Sequence, residues 1–109
     1  MKYKYGELSK KQIHDYKSYL HTKIHWMLLY KDPNLEEQYN HVNVSKYIIS
    51  VQRQLAGLNE LFNYSPQMLV LMTLIEKAKQ VSEEASFDFC VYRSLLLDAH
   101  SAIDELPEE

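Results

Sequence analysis

Apolar residues recur along four stretches of this chain at three- and four-residue steps, the repeat that places one side of an α-helix against a core. Ile13, Tyr16, Leu20, Ile24 and Met27 mark the first stretch, and Ile48, Val51, Leu55, Leu58 and Phe62 the second. Met68, Leu71, Met72, Ile75 and Ala78 mark the third; Phe89, Tyr92, Leu95, Leu96, Ala99, Ile103 and Leu106 mark a broad fourth face. Strand-like alternation of useful length is absent, and so is any internal repeat.

Local signals set the expected boundaries. Ser9 with Gln12 reads as a capping box, and Pro33 disfavours a helical Asp32, so the first helix is expected over about residues 10–31. The polar segment after it holds Asn34 and Glu37, a cap-and-partner pair that predicts an extra short helix near residues 34–40. The second helix is expected from about Ser45 to Phe62, interrupted by Gly57, which marks close packing or a bend. In "NYSPQ", Ser65 is the natural cap and Pro66 the first residue of a third helix reaching about Val81. Ser86 or Asp88 caps a fourth over about residues 87–106, which Pro107 ends. Short connections between helices of this length predict an all-α fold, an antiparallel four-helix bundle. One helical domain is expected over residues 1–109, with an irregular lead-in over 1–8 and an acidic tail at 107–109.

Composition narrows the function classes. The single cysteine, Cys90, excludes an internal disulfide and fits a reducing compartment, so a cytoplasmic protein is expected. No apolar run approaches a membrane span, and nothing resembles a secretory signal. The net charge of −3 is uneven: residues 1–31 carry seven lysines against Glu7 and Asp15, and the remainder carries five basic against thirteen acidic residues. That polarity either steers a partner or is offset between helices of one domain. "KYKYG" has the basic-aromatic character that stacks on single-stranded nucleic acid, but the acidic balance and the presence of only Arg53 and Arg93 as arginines argue against it. Glycine is too scarce for a phosphate-cradling loop.

Candidate chemistry gathers on the first and last helices. On a wheel of 100° per residue, His14, His21 and His25 line one edge of the first helix's apolar face, and Tyr19, Trp26 and Tyr30 line the other. His21 and His25, one turn apart, have the spacing of two ligands to one transition metal; His14, or His100 with Asp104, would complete the set. The carboxylate-rich pattern of di-iron bundles is missing, as are Cys-x-x-Cys and His-Glu-x-x-His, so the plainer expectation is no cofactor and imidazoles bordering the core. In "YRSLLLDAH", Arg93 and His100 stand seven residues apart on one side of the last helix. This resembles the Arg-x4–6-His signature of HEPN-type ribonucleases, small helical proteins that are commonly dimers. The resemblance implies Arg93 stabilising phosphate charge and His100 acting as acid or base. Ser94 departs from that pattern, and no tyrosine follows His100. A plainer pairing would join His100 to Asp104 one turn on.

The leading expectation is a protein–protein interaction module without enzymatic activity. Tyrosine and tryptophan anchor interfaces, and Tyr19, Trp26 and Tyr30 exceed what four short helices bury. A homodimer through the first helix is the simplest assembly.

Overall fold

The computed structural model describes residues 10–62 and 64–106, with backbone alone at 2–3 and 6–7. Five helices carry the fold: α1 (Lys10–Lys31), α2 (Glu36–Tyr39), α3 (Val44–Leu61), α4 (Pro66–Ser82) and α5 (Phe89–Asp104). Ahead of α1, β1 (Lys2–Tyr3) and β2 (Gly6–Glu7) form a two-residue antiparallel ladder pairing Lys2 with Glu7 and Tyr3 with Gly6. This pairing gives those four residues a regular extended backbone within the lead-in expected to be extended or irregular. The Ser9 cap and the 107–109 tail lie outside the described residues.

Side-chain caps start the helices where backbone N–H groups lack intrahelical acceptors. Ser65 Oγ accepts from Met68 N–H (3.3 Å), with Pro66 following it at the first helical position. Asp88 Oδ1 accepts from Cys90 and Val91 N–H at 2.9 and 3.3 Å. Asn43 caps α3 through Lys46 N–H. The short helix is present, but its entry differs from the expected one. Asp32, not Asn34, accepts the hydrogen bond, and a 3-10 turn at Pro33–Leu35 leads into α2. Pro33 fixes the residue before it in extended backbone, so Asp32 is the side chain poised to reach back to Asn34 N–H. At the other end of α3, Tyr64 takes a left-handed φ of 57° and donates its N–H to Asn59 O, which turns the chain toward α4.

One apolar cluster joins the elements. Ile13, Leu20, Ile24 and Met27 of α1 meet Ile48, Val51 and Leu55 of α3, Leu71 and Ile75 of α4, and Tyr92, Leu96 and Ile103 of α5. Each side chain fully removed from water contributes about 1.5–3 kcal/mol before chain entropy is subtracted, so packing rather than helix propensity holds these segments. The helices neighbour one another in the order α1, α3, α4, α5 and back to α1. Tyr92 near the start of α5 donates its hydroxyl to Met27 O near the end of α1 (2.8 Å). Asp104 at the end of α5 meets Lys17 and His21 in the first half of α1. Tyr16 is only half-buried, its expected inward place being taken by Lys17, one turn from Ile13 and Leu20.

Gly57 departs from expectation. A Cβ built there meets nothing within 4 Å, so neither close packing nor a backbone constraint explains it. Gly57→Ala is therefore expected to raise stability by roughly 1 kcal/mol through helix propensity. Urea unfolding monitored by circular dichroism measures this, and a loss of stability would refute a plain helical role for residue 57.

Candidate functional site

The two edges of α1 face different neighbours. On the edge toward α5, His21 Nδ1 lies 2.7 Å from His100 Nδ1, and His21 Nε2 lies 2.8 Å from Asp104 Oδ1. The two rings are 18° from parallel with centres 4.9 Å apart. That centre separation is close to the nitrogen separation plus two ring radii, so the imidazoles meet edge to edge in nearly one plane rather than face to face. The contact is consequently a near-linear N–H···N hydrogen bond. It holds a single proton, because two protonated Nδ1 atoms would set N–H against N–H.

Asp104 fixes the order of the chain. A carboxylate only accepts, so His21 Nε2 carries the hydrogen it donates to Asp104. When His21 is neutral its Nδ1 is bare and accepts Nδ1–H from His100, leaving His100 Nε2 as the basic atom of the chain. Burial, then the neighbouring His21 and His25, hold His100 below the ordinary imidazole range, against a smaller upward pull from Asp104. Beside this chain Lys17, 7% exposed, donates from Nζ to Asp104 O (3.1 Å). A cation there meets the unsatisfied carbonyl end of α5, where the helix dipole is negative. Lys31 meets the end of α4 in the same way, with Nζ 3.5 Å from Ser82 O and 4.2 Å from the Phe87 ring centre, so two lysines of the basic segment are used within the fold.

The histidine candidates do not all converge. His14 is exposed, and His25 is exposed with its ring edge-on to Trp26. Both nitrogens of His21 are engaged, by Asp104 and by His100. Among the described residues no group of three or more His, Cys, Asp or Glu side chains is arranged to hold a metal ion. Asp104 pairs across to His21 rather than along α5 to His100, because α1 brings an imidazole within reach of both. Arg93 is exposed and forms no ion pair or hydrogen bond with a described residue.

On the edge toward α3 the aromatic residues assemble. Tyr30 is half-buried and meets Tyr39 of α2 edge-on at 5.3 Å and Tyr47 of α3 at 5.1 Å. Trp26 reaches Tyr30 and Tyr39, and Lys23 Nζ lies over both Tyr19 and Tyr47. Burial, with Tyr30 and Tyr19 nearby, pushes the Tyr47 hydroxyl up to about 12. The short helix α2 thus covers Tyr30, one of the three expected interface residues, while Tyr19 and Trp26 remain 42% and 36% exposed.

Below Tyr19 an open apolar groove of about 520 Å³ runs between α1 and α3, lined by Asp15, Tyr16, Tyr19, Gln54, Gly57 and Leu58. Gln54 Oε1 is buried there and accepts no hydrogen bond. Sequence reasoning missed this groove and the burial of Lys17, and it named His100 and Asp104 as partners for His21 only as metal ligands, not as a hydrogen-bonded chain. Only Lys17 had a signal, its place in the apolar period between Ile13 and Leu20; the other features join residues far apart in the chain. The chain matches no protein-family model, no curated protein and no solved structure.

Proposed function

We propose that this chain is a protein–protein interaction module without enzymatic activity, built as an up-down-up-down antiparallel four-helix bundle and acting by self-association through α1. The observation that carries the reading is the pair Tyr19 and Trp26, which stay exposed on one side of α1 beside an open apolar groove. Tyrosine and tryptophan present large apolar area with a polar tip at little entropic cost, the character of interface anchors. A twofold pair is the commonest way for one surface to satisfy itself. The bundle topology is supported by the contacts of Tyr92 with Met27 and of Asp104 with His21, which set α1 and α5 in opposite senses. Gln52 with Glu76, and Ser45 with Glu83, do the same for α3 and α4.

The exposed thiol of Cys90 fits a reducing compartment such as the cytoplasm. No helix among the described residues is long and apolar enough to cross a membrane. Sedimentation equilibrium across a wide concentration range is expected to show a monomer–dimer transition, with Trp26 emission moving to the blue as the dimer forms. A monomer at every concentration, with unchanged emission, defeats the reading.

A further inference from the structure

The seam between α1 and α5 holds two imidazoles whose proton count decides whether they can touch. His21 Nδ1 and His100 Nδ1 are 2.7 Å apart, and His21 Nε2 donates to Asp104 Oδ1 at 2.8 Å. Three charge states of this pair differ in kind. With both rings neutral, His100 Nδ1–H donates to His21 Nδ1. One added proton, on His100 Nε2, leaves that bond whole, and its charge faces Asp104 through the His21 ring. A second added proton fills every ring nitrogen. Two Nδ1–H groups then point at each other across 2.7 Å, with like charge on both rings and no acceptor between them.

We propose that His21 and His100 form a proton-counting latch between α1 and α5, closed with no added proton or with one and opened by the second. The pair therefore titrates as a unit rather than as two separate rings. The ring that leaves is His100. His21 keeps its bond to Asp104, which protonation turns into an ion pair. His100 has no other hydrogen-bond partner among the described residues. Helix α5 stays in place, because Ala99 and Ile103 on either side of this ring are fully buried and Lys17 Nζ holds Asp104 O from α1. Opening is thus a swing of one side chain out of the seam, with the helix still docked.

The surroundings set where this happens. Burial of His100 opposes the second charge, His21 and His25 on α1 add to that, and Asp104 on α5 offsets it in part. Lys17, the other cation of α1 at this seam, is turned to Asp104 O. Helix α4, also packed on α5, meets it at Ala102 through Pro66 and Val70, and no described group of α4 adds charge at His100. Opening therefore falls on the acid side of the ordinary imidazole range. The latch lies on the opposite edge of α1 from Tyr19 and Trp26, so it does not depend on self-association.

Ring nitrogen and proton NMR of the isotope-labelled full chain, followed from neutral to mildly acidic pH, tests this. At neutral pH His100 is expected in the Nδ1–H tautomer and His21 in the Nε2–H tautomer, with scalar coupling across the shared hydrogen. Once both rings are cationic, that coupling and the ring-to-ring Overhauser contacts are expected to be lost, with helix content by circular dichroism unchanged. His100→Gln supplies both a donor and an acceptor and takes up no proton, so its contact with His21 is expected to survive the whole range. A His100 ring in the Nε2–H tautomer at neutral pH, or contacts that persist once both rings are cationic, overturns the latch. Loss of the contact in His100→Gln over the same range overturns it as well, because opening would then need no proton on residue 100.

Discussion

Replacing Tyr92 by alanine is expected to lower the stability of this protein by about 3–5 kcal/mol. Tyr92 is among the largest fully buried side chains, and its ring stands against Phe87 at 5.5 Å and Phe89 at 6.5 Å. Alanine would leave a cavity where α1 meets α5 and would remove the hydroxyl donor to Met27 O. Burial holds that hydroxyl far above the ordinary tyrosine range, so it stays protonated and donating. Tyr92→Phe separates the two contributions: it keeps the ring and is expected to cost only about 1 kcal/mol, the usual net worth of one hydrogen bond. Because folded domains are stable by only about 5–15 kcal/mol, the alanine variant is expected to be partly unfolded at moderate temperature. Thermal and urea unfolding measure both. Equal losses in the two variants would show that the hydroxyl, rather than the packed ring, dominates.

Stability is also expected to fall as the solution is acidified from neutrality. His100 is held below its ordinary value of 6.5, so between that value and its lower folded value the unfolded chain binds a proton that the folded chain refuses. Stability then rises with pH across that window and is lost as pH falls through it, by up to about 1.4 kcal/mol per pH unit for one proton. Burial and the groups facing His100 together set the sign. Burial is the largest cause of the lowering, His21 and His25 on α1 add to it, and Asp104 on α5 offsets it only in part. His100→Gln keeps a side chain able to hydrogen-bond His21 and removes the titration, so the urea midpoint is expected to become flatter between neutral and mildly acidic pH. Glu83, held low by Lys79 and Ser45, contributes stability that is lost only below the ordinary carboxylate range, which keeps the two effects apart. An unaltered pH slope in His100→Gln would remove His100 as the cause.

The hydrophobic period, the caps and the prolines were sufficient to read the helices. Ser65 with Pro66, and Asp88, act locally, so their roles follow from neighbours within four residues. The short helix was legible too, but its cap was not: choosing Asp32 over Asn34 depends on the backbone course into Pro33. The wheel correctly separated an imidazole edge from an aromatic edge on α1, because angular position on a helix is a property of spacing alone. It did not say which edge would be covered. Tyr30 was taken in by Tyr39 and Tyr47, and Trp26 was left at the surface.

By itself, then, the order of residues determined a mainly helical chain, the approximate extent of its long helices and which side chains share a face, since these rest on contacts between near neighbours. The meeting of His21 with His100 and Asp104, the burial of Lys17 against the end of α5, and the groove that strands Gln54 Oε1 were decided only by the tertiary arrangement. Each depends on the rotation and offset of one helix against another, and those are settled by how the whole core packs rather than by any local spacing.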